Sequence, residues 1–140
     1  MASFVGLLHI GLSGTGALTA DVLQRSAAGV YSSVDTATGA ASDVGSLVVY
    51  QGRLYASWLN YDGTVEKVRR TSDGSSWAEV NTLTQAGTQP PLLFNTGGKL
   101  FWIFPGSTGV GYSADGATWT NPTITAPGGG MGYALAWFKI

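Results

Sequence analysis

The chain has 140 residues and a mass of 14.5 kDa, the size of one domain. Charged residues make up 11% of it and hydrophobic residues 44%, with 21 glycines, which excludes a charge-rich disordered chain or a helical bundle and favours a turn-rich β protein. The net charge of −1 removes the electrostatic basis for binding nucleic acid, and the absence of cysteine excludes disulfides, thiolate metal sites and thiol nucleophiles. We expect one β domain over residues 1–140, without cofactor or metal.

The N-terminal segment is expected to be folded structure. It lacks a positively charged region, and Gly6 and Gly11 interrupt its apolar residues, so it resembles neither a signal peptide nor a membrane span. We predict a strand over residues 3–10 and no membrane insertion. His9, the one histidine, is predicted to face solvent or a neighbouring strand, and a single histidine gives no basis for a zinc site or a Ser-His-Asp triad.

Two segments further along the chain predict β-hairpins. Residues 46–59 and 91–104 each contain an apolar run, a glycine turn and a second apolar run. Each hairpin is followed by an Asp-Gly turn with a tryptophan at the same distance, in residues 71–77 and 113–119. The recurrence of this arrangement predicts a structural repeat.

Weaker copies of the repeat lie on both sides. Residues 7–10 with 16–22 are aligned with the first hairpin, residues 31–35 with the Asp-Gly segment, and residues 132–138 with a second hairpin strand. The glycines that open these strands are then at 16, 52, 98 and 132, and their spacings bracket the ~40–45 residues of a four-stranded propeller blade. We therefore predict an all-β, propeller-like repeat of antiparallel hairpins with almost no helix. It comprises about three and a half units, at residues 3–42, 43–86, 87–126 and, partially, 127–140.

The Asp-Gly segments, TSDGSSW at 71–77 and SADGATW at 113–119, resemble a shortened Asp-box, the BNR repeat of sialidase-like β-propellers. The resemblance implies a propeller fold. In it an aspartate and a glycine form each turn and the tryptophan packs between blades. The residues to which we give this structural role are Asp73, Gly74, Trp77, Asp115, Gly116 and Trp119.

We do not predict sialidase activity from this resemblance. The family uses an arginine cluster for the substrate carboxylate, a tyrosine with a glutamate partner and an aspartic acid. The chain's arginines (Arg25, Arg53, Arg69, Arg70) and glutamates (Glu66, Glu79) do not reproduce that pattern. Asp62 and Glu66 could approach one another on a hairpin, but we interpret them as a solvated pair rather than as hydrolytic carboxylates. We predict that the protein is not an enzyme and has no catalytic residues.

One loop is the first candidate for binding a ligand. Tyr61 and Asp62 lie in the loop 60–63, and Arg69 and Arg70 follow it in the sequence. A flat aromatic ring beside hydrogen-bonding side chains is suited to a sugar, which stacks on the ring and bonds through its hydroxyls. These four residues are the predicted ligand-binding set, and burial in the core is the alternative for the rings.

Three and a half blades do not close a ring, because propellers need about four to eight. The chain is therefore expected to close by oligomerisation or by pairing its N-terminal strand, residues 3–10, with residues 132–140. Low charge, abundant small residues and an apparently complete frame resemble phage virion accessory proteins, as does the segment 12–22.

The predicted function is a non-enzymatic structural or adhesion component of an assembly, at the virion surface as a phage tail-fibre or capsid-decoration protein. Its expected partners are further copies of itself or a larger virion assembly, with a cell-surface glycan also considered. The alternative is a stand-alone oligomeric carbohydrate-binding lectin, located in the cytoplasm or secreted without a recognisable signal peptide. A sialidase-like hydrolase is the third hypothesis and is disfavoured by the missing arginine cluster.

Overall fold

A computed structural model describes residues 1–14, 19–39, 42–61, 66–83, 89–104 and 109–122. Over these ranges the protein is all-β, with antiparallel strands in three sheets and no helix, which confirms the predicted fold class at that level. In the same part of the chain no helix has the length and hydropathy that a membrane crossing requires.

The strands follow one another as meanders, so that each sheet is built from one continuous stretch of chain. The first sheet contains β1 (Ala2–Phe4), β2 (Leu7–Leu12), β3 (Asp21–Arg25) and β4 (Tyr31–Thr36), paired in that order. The middle sheet contains β5 (Asp43–Tyr50), β6 (Arg53–Leu59), β7 (Glu66–Thr71) and β8 (Ala78–Leu83), also paired in order. The third sheet contains β9 (Leu92–Thr96), β10 (Lys99–Ile103) and β11 (Val110–Ser113), and an isolated bridge joins Tyr112 of β11 to Thr120.

The first two strands of each sheet are joined by a two-residue turn. The turns are at residues 5–6, 51–52 and 97–98, and both residues of each have positive φ, between 46° and 76°. This is the backbone geometry that joins twisted strands most tightly, and glycine occupies the second position each time. The predicted hairpins at 46–59 and 91–104 are confirmed. The glycines at 6, 52 and 98 are evenly spaced, 46 residues apart.

The single strand predicted over residues 3–10 is wrong, because the turn at residues 5–6 divides this segment into β1 and β2. The alignment proposed for the first repeat is also wrong. Residues 7–10 belong to the second strand of their sheet rather than to the first, and residues 31–35 lie in β4 rather than in a turn. The spacing from Gly6 to Gly52 sets the correct register of the first sheet, whereas the predicted alignment started from Gly16. Gly16, Gly132 and the predicted partial unit after residue 126 lie outside the described residues. The sequence of the first sheet gives little indication of this register, because the turn between β3 and β4 has Ala27 where the middle sheet has Asp73.

The three sheets pack in chain order, and β6 in the middle of the stack is buried on both faces. We call the face of a sheet that contacts the preceding sheet its back face, and the face that contacts the following sheet its front face. Leu54, Ala56 and Trp58 on the back face of the middle sheet join a core shared with the first sheet, and Tyr55 on its front face joins a core shared with the third. All four are fully buried. Alternation along one strand therefore supplies two separate cores.

Candidate functional site

Tyr61, the aromatic residue of the predicted ligand site, lies between the first and middle sheets. Its hydroxyl donates to Asp35 Oδ1 at 3.2 Å, and its ring packs edge-on against Trp58. Arg69 Nη1 contacts both Asp35 Oδ1 and the Tyr61 hydroxyl, and Nη2 donates to the Trp77 carbonyl at 3.0 Å. The guanidinium carbon of Arg69 also lies 4.5 Å from the centre of the Tyr61 ring. Two of the four predicted ligand-binding residues are thus brought together, within a cluster that joins two sheets.

The electrostatics of this cluster are those of a partly desolvated ion pair. Asp35 is 8% exposed. Burial raises the pKa of its carboxyl, and the Arg69 guanidinium beside it opposes that rise. Burial also raises the pKa of the Tyr61 hydroxyl, reinforced by the negative charge of Asp35. Because Arg69 already has three protein partners, its hydrogen-bonding capacity serves the junction between sheets.

Arg70 does not join Tyr61 and Arg69. Successive residues of β7 point to opposite faces, and Arg69 pairs across the sheet with Ala56 of the back face, whereas Arg70 pairs with Tyr55 of the front face. Arg70 Nη1 accordingly donates to the Gly116 carbonyl in the third sheet at 3.1 Å. Asp62, the fourth predicted residue, lies outside the described residues. Sugar binding by this set stays a prediction.

The aspartates of the two Asp-Gly turns accept equivalent hydrogen bonds. Asp73 Oδ1 accepts from the backbone N–H groups of Ser75 and Ser76 at 2.8 and 2.7 Å, and from the Thr71 hydroxyl. In the third sheet, Asp115 Oδ1 accepts from the two equivalent N–H groups, those of Ala117 and Thr118, at 2.8 and 2.7 Å, and from the Ser113 hydroxyl. The aspartates form the turns, as their predicted structural role requires.

These bonds lower the pKa of both aspartates. For Asp73 the largest cause is the N–H of Ser76, and for Asp115 it is the N–H of Ala117. Both carboxylates are consequently ionised at neutral pH and act as hydrogen-bond acceptors, which makes them poor proton donors. Trp77 and Trp119 are half-buried and pack against the first and second cores respectively.

Each Asp-Gly turn also contacts the front face of the preceding sheet. Between the first and middle sheets, which form the first junction, the Gly74 carbonyl accepts a hydrogen bond from Gln24 Nε2 at 3.4 Å and lies 3.3 Å from His9 Nε2. His9 and Gln24 are cross-strand partners on β2 and β3. His9 is fully buried, so the expected solvent-facing alternative is wrong and the neighbouring-strand alternative extends to a neighbouring sheet.

The second junction repeats this arrangement. The Gly116 carbonyl accepts from Arg70, and the Gly116 Cα faces Tyr55 so closely that a Cβ there would overlap the phenol. Tyr55 and Arg70 are cross-strand partners on β6 and β7, the strands equivalent to β2 and β3. His9 and Tyr55 are 46 residues apart, as are Gln24 and Arg70, which is the spacing of the hairpin glycines.

The contact between the glycine of an Asp-Gly turn and a cross-strand pair is repeated between the sheets of this structure. We call it the junction contact. Sequence reasoning missed His9, Gln24 and Tyr55 as its members, because nothing local distinguishes them. A 46-residue register would have found them, since it aligns each with its counterpart.

The interpretation of Asp62 and Glu66 as a solvated pair is wrong for Glu66, which is buried. Glu66 is 3% exposed at the start of β7, and Asp62 is not described. Glu79 pairs with Lys67 at 2.8 Å, and the bonds from Lys67 and Thr82 lower its pKa. Within the described ranges no three His, Cys, Asp or Glu side chains gather as metal ligands would.

An open pocket of about 160 Å³ lies beside the first Asp-Gly turn. It is lined by Arg53, Arg70, Thr71, Ser72, Ser76 and Ala78. Two guanidinium groups and three hydroxyls are hydrogen-bonding groups that suit a polar, anionic ligand. No protein-family model and no curated protein matches the chain.

Proposed function

We propose that this protein is a non-enzymatic structural and adhesion component of a larger assembly, of the kind that decorates the surface of a phage virion or forms its tail fibres. The observation that carries the proposal is the set of polar contacts between adjacent sheets, the junction contact among them. The polar side chains most suited to chemistry, His9, Arg69 and Arg70, bind backbone or side-chain groups of an adjacent sheet. Side chains whose hydrogen bonds join adjacent sheets have a structural role.

We further propose that the three described sheets are blades of a propeller-like repeat. The 46-residue spacing lies close to the ~40–45 residues of a four-stranded blade, and the meander order of each sheet is that of a blade. The shared hydrogen bonds of Asp73 and Asp115 support the resemblance to the Asp-box. In this interpretation the boxes hold blades together and have no catalytic part.

Fractionation of virus particles tests the functional proposal. Particles from a culture that produces this protein are purified on a density gradient and labelled with antibody to the protein. We expect the protein in the intact-particle fraction and the label on the particle surface. Its presence only in the unassembled fraction would overturn the proposal.

An activity assay tests the non-enzymatic part separately. Purified protein is expected to give no turnover of a fluorogenic sialoside above a buffer control. Steady turnover that is lost in Glu66→Gln would show an active site, provided that the variant keeps the melting temperature of the wild type.

The second candidate is a stand-alone oligomeric lectin, and the pocket beside the first Asp-Gly turn favours it. Arg53 is exposed and can be changed without disturbing a core. If the protein is a lectin, a glycan array will show binding that Arg53→Ala reduces at least tenfold, while Lys99→Ala, a matched loss of one exposed cation, keeps it. An array without any signal favours the scaffold over the lectin.

A further inference from the structure

Two sheet faces are not covered by another sheet among the described residues, although both faces of the middle sheet are covered. The middle sheet is covered on both faces, but within the described residues no sheet packs on the back face of the first sheet or on the front face of the third. The uncovered faces are one back face and one front face. Over the described residues the stack thus ends with a back face on one side and a front face on the other.

The back face of the first sheet has the pattern of a buried face. Phe4 and His9 point toward the middle sheet, so alternation along β2 turns Leu8, Ile10 and Leu12 away from it. The 46-residue spacing aligns these three with Leu54, Ala56 and Trp58, the fully buried back face of the middle sheet. Leu12, however, is 42% exposed.

Exposure of large apolar side chains is concentrated on this same sheet. Among the described residues, those exposed outside the middle sheet are Met1, Val5, Leu12, Val30 and Tyr31. Leu12 and Tyr31 lie in strands of the first sheet, Val5 and Val30 lie in or beside its turns, and Met1 directly precedes β1. Exposed apolar side chains concentrated on one sheet are typical of an interaction surface.

The front face of the third sheet is the complementary half. Leu100 and Trp102 belong to the core shared with the middle sheet, so Phe101 and Ile103 point the other way. Phe101 stacks on Phe94 with 5.3 Å between ring centres and lies 5.9 Å from Tyr112. Phe101 and Tyr112 are cross-strand partners, at the positions that Tyr55 and Arg70 occupy in the middle sheet.

From these two faces we infer that a second copy of this chain continues the stack, with the back face of its first sheet on the front face of the third. The inference rests on the proposed function and names the partner that it leaves open. Each copy offers one front and one back, so the contact is head-to-tail, and two copies related by a twofold axis make two such contacts. Counted over the described residues, two copies supply six sheets, whereas one copy supplies too few and three copies supply nine, and propellers have four to eight.

Two variants, each with one face changed, test this inference. Leu12→Lys places a charge on the back face and Phe101→Glu places one on the front face. We expect each variant alone to lower the mass measured by light scattering from twice 14.5 kDa to 14.5 kDa. Val49→Lys is the matched control, because Val49 is an exposed apolar residue of the middle sheet, and it should keep the mass of the wild type. Circular dichroism checks folding, and Tyr112→Ser replaces Phe101→Glu if the latter is unfolded.

Mixing the two variants distinguishes head-to-tail contact from other modes. In a mixed pair one junction has two native faces, and the other combines the introduced lysine with the introduced glutamate. We expect the mixture to recover the doubled mass. A wild-type monomer, an open-ended series of larger species, or dissociation by only one of the two variants would each overturn the inference. Particle fractionation does not depend on this contact, so failure here can be told apart from failure of the proposed function.

Discussion

Replacement of Gly116 by alanine tests whether the junction contact holds the middle and third sheets together. Gly116 has φ +68°, and a Cβ there would overlap the Tyr55 hydroxyl and lie 2.6 Å from the ring carbon that carries it. Left-handed backbone costs alanine about 1–2 kcal/mol, and overpacking a filled site costs about 1–3 kcal/mol. We therefore expect Gly116→Ala to lower the free energy of unfolding by about 2–5 kcal/mol.

Gly52→Ala separates the two terms. Gly52 has φ +69°, but a Cβ there meets no atom within 4 Å, so only the backbone term of about 1–2 kcal/mol applies. Urea denaturation of both variants measures the difference. The variants share nearly the same φ, so their difference reports the close approach to Tyr55.

Tyr55→Phe provides the rescue. The Tyr55 hydroxyl is buried and has no hydrogen-bond partner among the described residues, so its removal alone should cost little. In combination with Gly116→Ala it removes the nearest overlapping atom, and we expect it to restore part of the lost stability. Equal losses in Gly116→Ala and Gly52→Ala, together with no coupling to Tyr55→Phe, would refute the reasoning.

Three further predictions follow from the contacts of the boxes and of the ion pair. Because the pKa of Asp73 is lower in the folded protein than in the unfolded chain, its stabilising contribution is present above about pH 4 and is lost as pH falls through the folded pKa. Asp73→Ala should thus flatten the acid side of the stability profile, measured by urea denaturation at a series of pH values, and an unchanged slope would contradict the role of the box. Arg69→Ala should cost about 3 kcal/mol because it leaves Asp35 buried without its ion-pair partner, whereas the double variant Asp35→Leu with Arg69→Met should unfold at a higher urea concentration than Arg69→Ala. If the double variant is no more stable than Arg69→Ala, the loss of stability does not come from leaving Asp35 without its ion-pair partner. Trp119→Ala should lower stability by about 2–3 kcal/mol, below the range for a fully buried ring because Trp119 is half-buried, and an unchanged melting temperature would remove its structural role.

The parts of the fold that the sequence could predict are those in which one residue type determines local geometry. Gly52 and the glycine pair at 97–98 marked two hairpin turns, and the Asp-Gly segments marked two more. The first repeat was misaligned because Ala27 stands where Asp73 would place a box, and because the first turn falls only five residues from Met1.

The candidate site was harder to predict because its members are brought together by packing between sheets. Arg69 and Arg70 are adjacent in sequence, yet strand alternation sends one toward the first sheet and the other toward the third. Asp35, by contrast, carried no local signal, since only the packing of two sheets places it against Arg69.

Native mass spectrometry of the wild-type protein tests most directly whether the stack is completed by a second copy. The account predicts one dominant species of twice 14.5 kDa, without a ladder of larger masses, because two head-to-tail contacts close the ring. A single species of 14.5 kDa over a wide range of protein concentration would contradict it.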